Sequence, residues 1–211
     1  MMQRLFDIFF SVTAIIILFP VLLFIILVLS FTGEGEIFYK QNRVGKNKIS
    51  FKILKFATMF KDSESKGAGT ITLKNDSRVL PFGKFLRKTK LNELPQLFNI
   101  FIGHMSVIGP RPLHQKQFSF YSKNDQKIIS SIRPGLSGLS SIIFRDEEKI
   151  LQSGSDPDKT YKKNITPKKA KLEKWFVKHK SIYLYFKLII LTFIVVLFPS
   201  IKIYRFFKDI L

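Results

Sequence analysis

The sequence predicts an α+β chain that is mainly helical and held on a membrane by its N-terminal segment. Three observations carry that reading. Ile8 to Phe31 is an uncharged apolar run whose polar side chains are Ser11, Thr13 and Ser30. Glu36 to Tyr39 and Ile49 to Leu54 are short apolar and aromatic stretches on either side of a basic turn, Arg43 to Lys48. Further along, apolar residues recur at three- and four-residue spacing, as in helices that bury one face.

Composition supports this class. The 211 residues suffice for one domain with its own core. Against 15 Asp+Glu stand 35 Lys+Arg, a formal net charge of +20, so an anionic partner is implied. Because 46% of the residues are hydrophobic, a membrane-bound protein fits that charge better than a soluble nucleic-acid binder. The chain has no Cys, which excludes disulfides, zinc-thiolate sites and thiol catalysis. His104, His114 and His179 show no metal-ligand spacing.

Taken in order, the first element is the apolar run. About 24 residues of helix reach about 36 Å, enough for a hydrocarbon core about 30 Å thick. A cleaved signal peptide is not expected, since the run is too long and no small-residue cleavage site follows. Pro20 near its middle removes one backbone hydrogen bond, so a kink is expected there. Basic residues after Phe31 (Lys40, Arg43, Lys46, Lys48, Lys52, Lys55) place the middle of the chain on the cytoplasmic face. Gly33 and Gly35 end the helix, and the two short stretches form a β-hairpin. Lys61 to Asp76 reads as a polar loop.

Pro81 to Thr89 starts a helix with proline in its first turn. Asn92 to Ile102 reads as an amphipathic helix, with Asn92 near its N-cap, Glu93 just inside and Gly103 at its end. Gly109-Pro110-Arg111-Pro112 is a stiff extended loop. Phe118 to Ile132 is a helical candidate before the turn Arg133-Pro134-Gly135, Ser153 to Lys163 a polar loop, and Pro167 to Lys180 a basic helix. The final apolar run, Leu188 to Ile201, is short for a span. It reads as an interfacial helix, with a span starting nearer Tyr183 as the alternative.

The segment from Arg87 to Pro112 carries the chemistry. It sets Arg87, Lys88, Lys90 and Arg111, with Glu93, into otherwise apolar sequence. Fixed cations and backbone N–H groups are what phosphate oxygens require. A helix start at Asn92-Glu93 binds anions as readily as it caps itself. Two prolines freeze the backbone around Arg111, so its planar fork loses less entropy on gripping a phosphate. Arg133 is a further cation, within a turn whose N–H groups make a concavity.

This segment, with Lys55-Phe56-Ala57-Thr58-Met59, Gln41-Asn42-Arg43-Val44-Gly45, Asp76-Ser77-Arg78 and Arg133-Pro134-Gly135-Leu136-Ser137-Gly138, resembles the bacterial sugar transferases. These are small monotopic phosphoglycosyl transferases. The blocks stand in order from Arg4 to about Gly138. The resemblance implies a re-entrant membrane helix broken at Pro20, with a plain span as the other disposition. It implies a division into 1–32 (membrane helix), 33–180 (cytoplasmic-face transferase domain with interfacial helices) and 181–211 (C-terminal membrane-associated helix). The implied activity moves sugar-1-phosphate from a UDP-sugar to polyprenol (undecaprenyl) phosphate in the bacterial inner membrane, with Mg²⁺ offsetting diphosphate charge. Glycan, exopolysaccharide or capsule assembly would begin there, beside other glycan-assembly enzymes and anionic inner-leaflet lipids.

Carried over residue by residue, the nucleophile position is Asn92 and its acidic neighbour is Glu93, which would also be the metal ligand. Lys55, Arg87, Arg111 and Arg133 would contact phosphate. Three positions depart from the family pattern: Asn92 for Asp, Ala57 for Arg, and His104 for an acidic residue. A neutral amide neither attacks phosphorus nor binds Mg²⁺ as a carboxylate does, so low turnover is expected. The alternative is a catalytically impaired membrane-bound relative acting as a binding or scaffold protein. A nucleic-acid partner is not expected, because no helix-turn-helix, zinc or RNA-binding motif is present.

Overall fold

The computed structural model describes residues 2–61, 63, 76–145, 157–198 and 207. The fold is mostly helical, with one antiparallel hairpin and one short parallel strand pair among the described residues. Helix α1 (Met2–Ser30) is long and apolar enough to cross a bilayer by length and composition. It is a single helical segment with Pro20 inside it, where two helices flanking a break were expected. A proline costs the one hydrogen bond its missing N–H would make, and the bonds on either side can carry the helix past it. Gly33 and Gly35, at φ +62° and +70°, follow its end as expected.

One stripe of α1, Asp7, Ser11, Ile15, Leu18, Leu22, Ile25 and Leu29, turns toward the protein at near-helical period. Three core clusters meet it in turn. Phe6 and Phe10 pack on the cluster of Ile108, Leu172, Phe176 and Leu188. Ala14, Ile15 and Leu18 pack on Phe51, Ile53, Ile100 and Met105, while Leu22, Ile25 and Leu29 join Phe56 and Leu86. The opposite face, including Leu5, Phe9, Ile16, Phe19, Phe24 and Leu27, is exposed.

Strands β1 (Phe38–Val44) and β2 (Ser50–Phe56) pair antiparallel from Phe38 opposite Phe56 to Val44 opposite Ser50. Arg43 and Val44, expected in the turn, are strand residues; the reversal is carried by Lys46–Lys48, where Asn47 and Lys48 take positive φ. Most of the expected loop from Lys61 to Asp76 lies outside the described residues. Helix α2 (Pro81–Lys88) starts on its proline as expected. Gly83 permits its approach to the strand end, since a Cβ there would stand 2.3 Å from the Thr58 carbonyl oxygen.

The expected helix from Asn92 divides. Lys90, at φ +62°, leads into a 3₁₀ turn, Leu91–Glu93, and α3 (Gln96–Ile102) begins only after Pro95. Pro95 has no N–H, so the turn closes on Glu93 N to Lys90 O and Leu94 N to Leu91 O, each 3.1 Å. Asn92 therefore does not cap α3. Its N-cap position is Pro95, which has no side-chain hydrogen bond to give. Gly103, at φ +95°, ends α3 as expected.

β3 (Ser106–Ile108) precedes the proline loop and pairs in parallel with β4 (Gly135–Ser137). Between them the helix expected from Phe118 to Ile132 is two, α4 (Gln115–Phe118) and α5 (Lys123–Ile129). Ser122 starts the second by accepting from the Asp125 N–H at 3.1 Å. α6 (Leu139–Ile143) follows β4. Part of the expected polar loop from Ser153 is helical instead: α7 (Pro157–Thr160) runs through a π turn, Tyr161–Ile165, that buries Tyr161 and Ile165. α8 (Thr166–Lys178) is the expected basic helix. α9 (Ile182–Leu197) begins near Tyr183, with Ser181 accepting from the Leu184 N–H. Lys202, Arg205 and Lys208 lie outside the described residues.

Candidate functional site

The site forms where β2, the 3₁₀ turn and the proline loop converge. Near the end of β2, the Lys55 ammonium donates to Glu93 Oε1 at 3.1 Å. Arg111 brings its Nη2 to 4.0 Å from the same oxygen. Side chains of Lys55 and Glu93 are each 19% exposed, so their attraction is poorly screened, while Arg111 at 39% reaches toward solvent.

Burial would raise the Glu93 carboxyl, but the charges of Lys55, Arg111 and Lys90 and the Lys55 hydrogen bond outweigh it and hold it down at about 2. Glu93 is thus ionised at neutral pH. Burial lowers Lys55 to about 8, reinforced by Arg43 and Arg111 and opposed by Glu93. A site whose cations outnumber its carboxylate has charge to spare for an anion.

Asn92 is buried, and its Oδ1 has no hydrogen-bond partner among the described residues. Gln96 Nε2, one turn on, is orphaned likewise. Unpaired buried amide atoms cost free energy, and such atoms recur where a ligand completes them. Arg87, in the last turn of α2, points its Nη1 to the Thr58 hydroxyl at 3.4 Å, just beyond Lys55 in sequence. Ala57 is buried, its N–H bonded to the Ile37 carbonyl. Arg133 sits elsewhere: its Nε donates to the Gly103 carbonyl at 2.7 Å, at the far end of α3.

The backbone N–H of Gly135 in the Arg-Pro-Gly turn braces the proline loop instead of facing a concavity. Gly109 N donates to Ser137 O at 2.9 Å and Gly135 N to Pro110 O at 2.8 Å. A Cβ on Gly135 would lie 2.1 Å from Gly109 N, and one on Gly138 2.1 Å from Gly109 O. Only glycine fits this approach.

Two positioning residues escape the sequence reading. Glu173 on α8 accepts the Arg111 N–H at 3.1 Å and the Ser140 hydroxyl, so a helix far along the chain holds the loop. Asn99 accepts the Leu54 N–H and donates to the Lys52 carbonyl, each at 2.9 Å, clamping α3 to β2. A polar residue on the buried side of an apolar helix was the available signal for Asn99. For Glu173 the signal was that it is the one acidic residue on an otherwise basic helix.

As for metal, no group of three His, Asp or Glu that could hold an ion stands together among the described residues. The donors fit Mg²⁺ in a limited way. Glu93 is one ionised carboxylate, and the orphaned Asn92 Oδ1 is a neutral oxygen beside it in sequence. Magnesium commonly takes one or two carboxylates and completes its shell with water and substrate phosphate.

The exopolysaccharide production protein PSS of Rhizobium leguminosarum bv. phaseoli is 36% identical over 151 residues, covering 67% of this chain and 73% of that protein. ExoY of Rhizobium meliloti (strain 1021), another exopolysaccharide production protein, is 37% identical over 161 residues, covering 70% and 71%. A UDP-glucose:undecaprenyl-phosphate glucose-1-phosphate transferase of Klebsiella pneumoniae is 33% identical over 194 residues, 90% of this chain but 39% of the longer relative. Residues 1–199 match the sequence model of the bacterial sugar transferases, and the chain belongs to that family.

Proposed function

We propose that this protein transfers sugar-1-phosphate from a UDP-sugar to undecaprenyl phosphate, opening the assembly of a polysaccharide or glycoconjugate. The observation that carries the reading is the cluster of Lys55, Glu93 and Arg111. Lys55 and Arg111, with Arg87 near Thr58, bind and orient the diphosphate, and the braced proline loop keeps the Arg111 backbone fixed. Glu93 would hold Mg²⁺, which when bound offsets the charge of the diphosphate.

Asn92 limits the chemistry, because an amide does not attack the β-phosphorus. Two routes avoid it. Glu93 forms the bond to phosphorus as UMP leaves, and an oxygen of the polyprenol phosphate then displaces Glu93 from that phosphorus; or that oxygen attacks the β-phosphorus directly and UMP leaves. A phosphosugar trapped on Glu93 selects the first; turnover without such an adduct selects the second. The impaired-relative reading is favoured by one observation, the burial of Asn92 at the nucleophile position. Incubating protein with UDP-sugar, Mg²⁺ and undecaprenyl phosphate tests the function. UMP release supports transfer, and nucleotide binding without UMP supports the impaired relative.

The cytoplasmic face of the bacterial inner membrane is the proposed location, the face on which the body of the protein packs along α1. In support, both ends of α1 pack on one body of protein. Arg4 reaches the carbonyls of Ile100 and Phe101 at one end, and Leu29 packs with Phe56 and Leu86 at the other.

A further inference from the structure

A second cationic concavity lies at the other end of α3. It is a polar cleft of about 120 Å³ lined by Gln3, Arg4, Asp7, Lys46, Arg133 and Lys180, with Ser106 and Ile132 completing it. Four cations surround one carboxylate. That carboxylate is already engaged: Asp7 Oδ1 accepts from Ser106 Oγ, the Val107 N–H and the Tyr185 hydroxyl, each at 2.9 Å.

Two of the cations have a structural task. Arg4 donates to the carbonyls of Ile100 and Phe101, and Arg133 Nε to that of Gly103, so both complete the negative end of α3. Helix capping does not account for the rest. The Nη groups of Arg133 carry no hydrogen bond among the described residues, and Lys46 and Lys180 form no ion pair there. Burial lowers Lys180, opposed by the charge of Asp7, and the like charges of Lys46 and Arg133 lower it further by smaller amounts. Like charges held around a concave polar surface are unfavourable unless an anion occupies it.

The surroundings indicate which anion. Gln3, Arg4 and Asp7 lie on one side of the first turns of α1, and Met2, Leu5 and Phe9 on the other are each at least 62% exposed. Tyr183, 75% exposed, stands three residues after Lys180 at the start of α9. Cations beside exposed apolar side chains match a lipid, phosphate in the cleft and acyl chains on the apolar face.

We propose that this cleft is a binding site for the phosphate of an anionic membrane phospholipid, separate from the transferase site. It rests on the membrane attachment of α1 but not on turnover. The cleft shares no lining residue with the cluster of Lys55, Glu93 and Arg111. α3, a seven-residue helix about 10 Å long, lies between the two. The lipid is thus a docking ligand and not a reactant.

The test uses the full chain in uncharged detergent micelles, titrated with dihexanoyl phosphatidylglycerol or with inorganic phosphate and followed by thermal shift. The wild-type protein is expected to gain melting temperature saturably with the lipid, and more weakly with phosphate. Lys46→Gln/Lys180→Gln is expected to weaken the lipid response roughly tenfold, and Lys123→Gln/Lys127→Gln, of equal net charge on α5, to leave it unchanged. An equal loss in both double variants would make the effect non-specific attraction and overturn the site. So would no response in the wild type, or a full response in the Lys46/Lys180 variant. Inorganic phosphate matching the lipid at equal concentration would overturn the lipid assignment. UMP release measured alongside keeps failure of the transferase reading distinct, since either result can occur alone.

Discussion

The backbone N–H of Arg111 donates to the Glu173 carboxylate at 3.1 Å, across 62 positions of sequence. The loop that carries the candidate phosphate-gripping arginine is therefore held by a buried acid whose charge depends on pH. Burial pushes Glu173 up to about 7 from 4.5, only partly offset by the Ser140 hydroxyl, the Arg111 N–H and the charges of Lys169 and Arg111. A carboxyl raised by folding binds its proton more tightly in the native chain. Its cost is absent below pH 4.5, grows between about 4.5 and 7, and is complete above 7 at about 3 kcal/mol. Melting temperature should fall as pH rises from 5 to 7.5, and Glu173→Gln, which mimics the protonated acid, should flatten that fall. Equal slopes in the two proteins would falsify the assignment.

Asn92→Asp restores a carboxylate beside Glu93. Its expected effect is a rise in UMP release of about a hundredfold or more, together with a covalent phosphosugar adduct. An unchanged rate would mean that Ala57 and His104 have already dismantled the site.

Lys55→Met leaves Glu93 without its nearest cation. A hydrogen bond to a charged, poorly solvated group is worth about 2 kcal/mol, so a loss of that order is expected at pH 7. Glu93 is depressed on folding, so its favourable contribution is present above 4.5 and is lost as pH falls through about 2. Without Lys55 the carboxyl protonates at higher pH, which relieves the unpaired charge. Denaturation at pH 7 and pH 4 should show the larger loss at pH 7, and a loss independent of pH would contradict the pairing.

Gly135→Ala puts a methyl group 2.1 Å from the Gly109 nitrogen. Separation of β3 from β4 is expected, at about 1–3 kcal/mol, with the proline loop displaced. Nucleotide affinity should fall more than stability alone explains, measured by UDP titration below the melting point. Undiminished affinity would show that Arg111 does not depend on this brace.

Much of the local structure was legible in the residues. Gly33 and Gly103 end their helices because positive φ is cheap for glycine, and Pro81 opens α2 because its missing N–H costs nothing there. The helix expected at Asn92 failed because apolar spacing from Leu91 to Phe101 continues across a turn that Lys90 and Pro95 interrupt. Hydrophobic period registers which residues face inward, not whether the hydrogen bonds between them are continuous. The inward stripe of α1 was invisible for a related reason. A helix whose outer face is also apolar has no polar side to betray its orientation.

By itself the sequence determined the apolar N-terminal helix, the hairpin, the order of the motif blocks and the family, since each rests on neighbours within a few residues. Which cations meet was settled only in three dimensions: Arg111 beside Glu93 and Lys55, Arg133 with Lys46 and Lys180 at the opposite end of α3. Side-chain charge is written locally, but the company it keeps depends on how distant segments pack, and thirty-five basic residues allow many pairings.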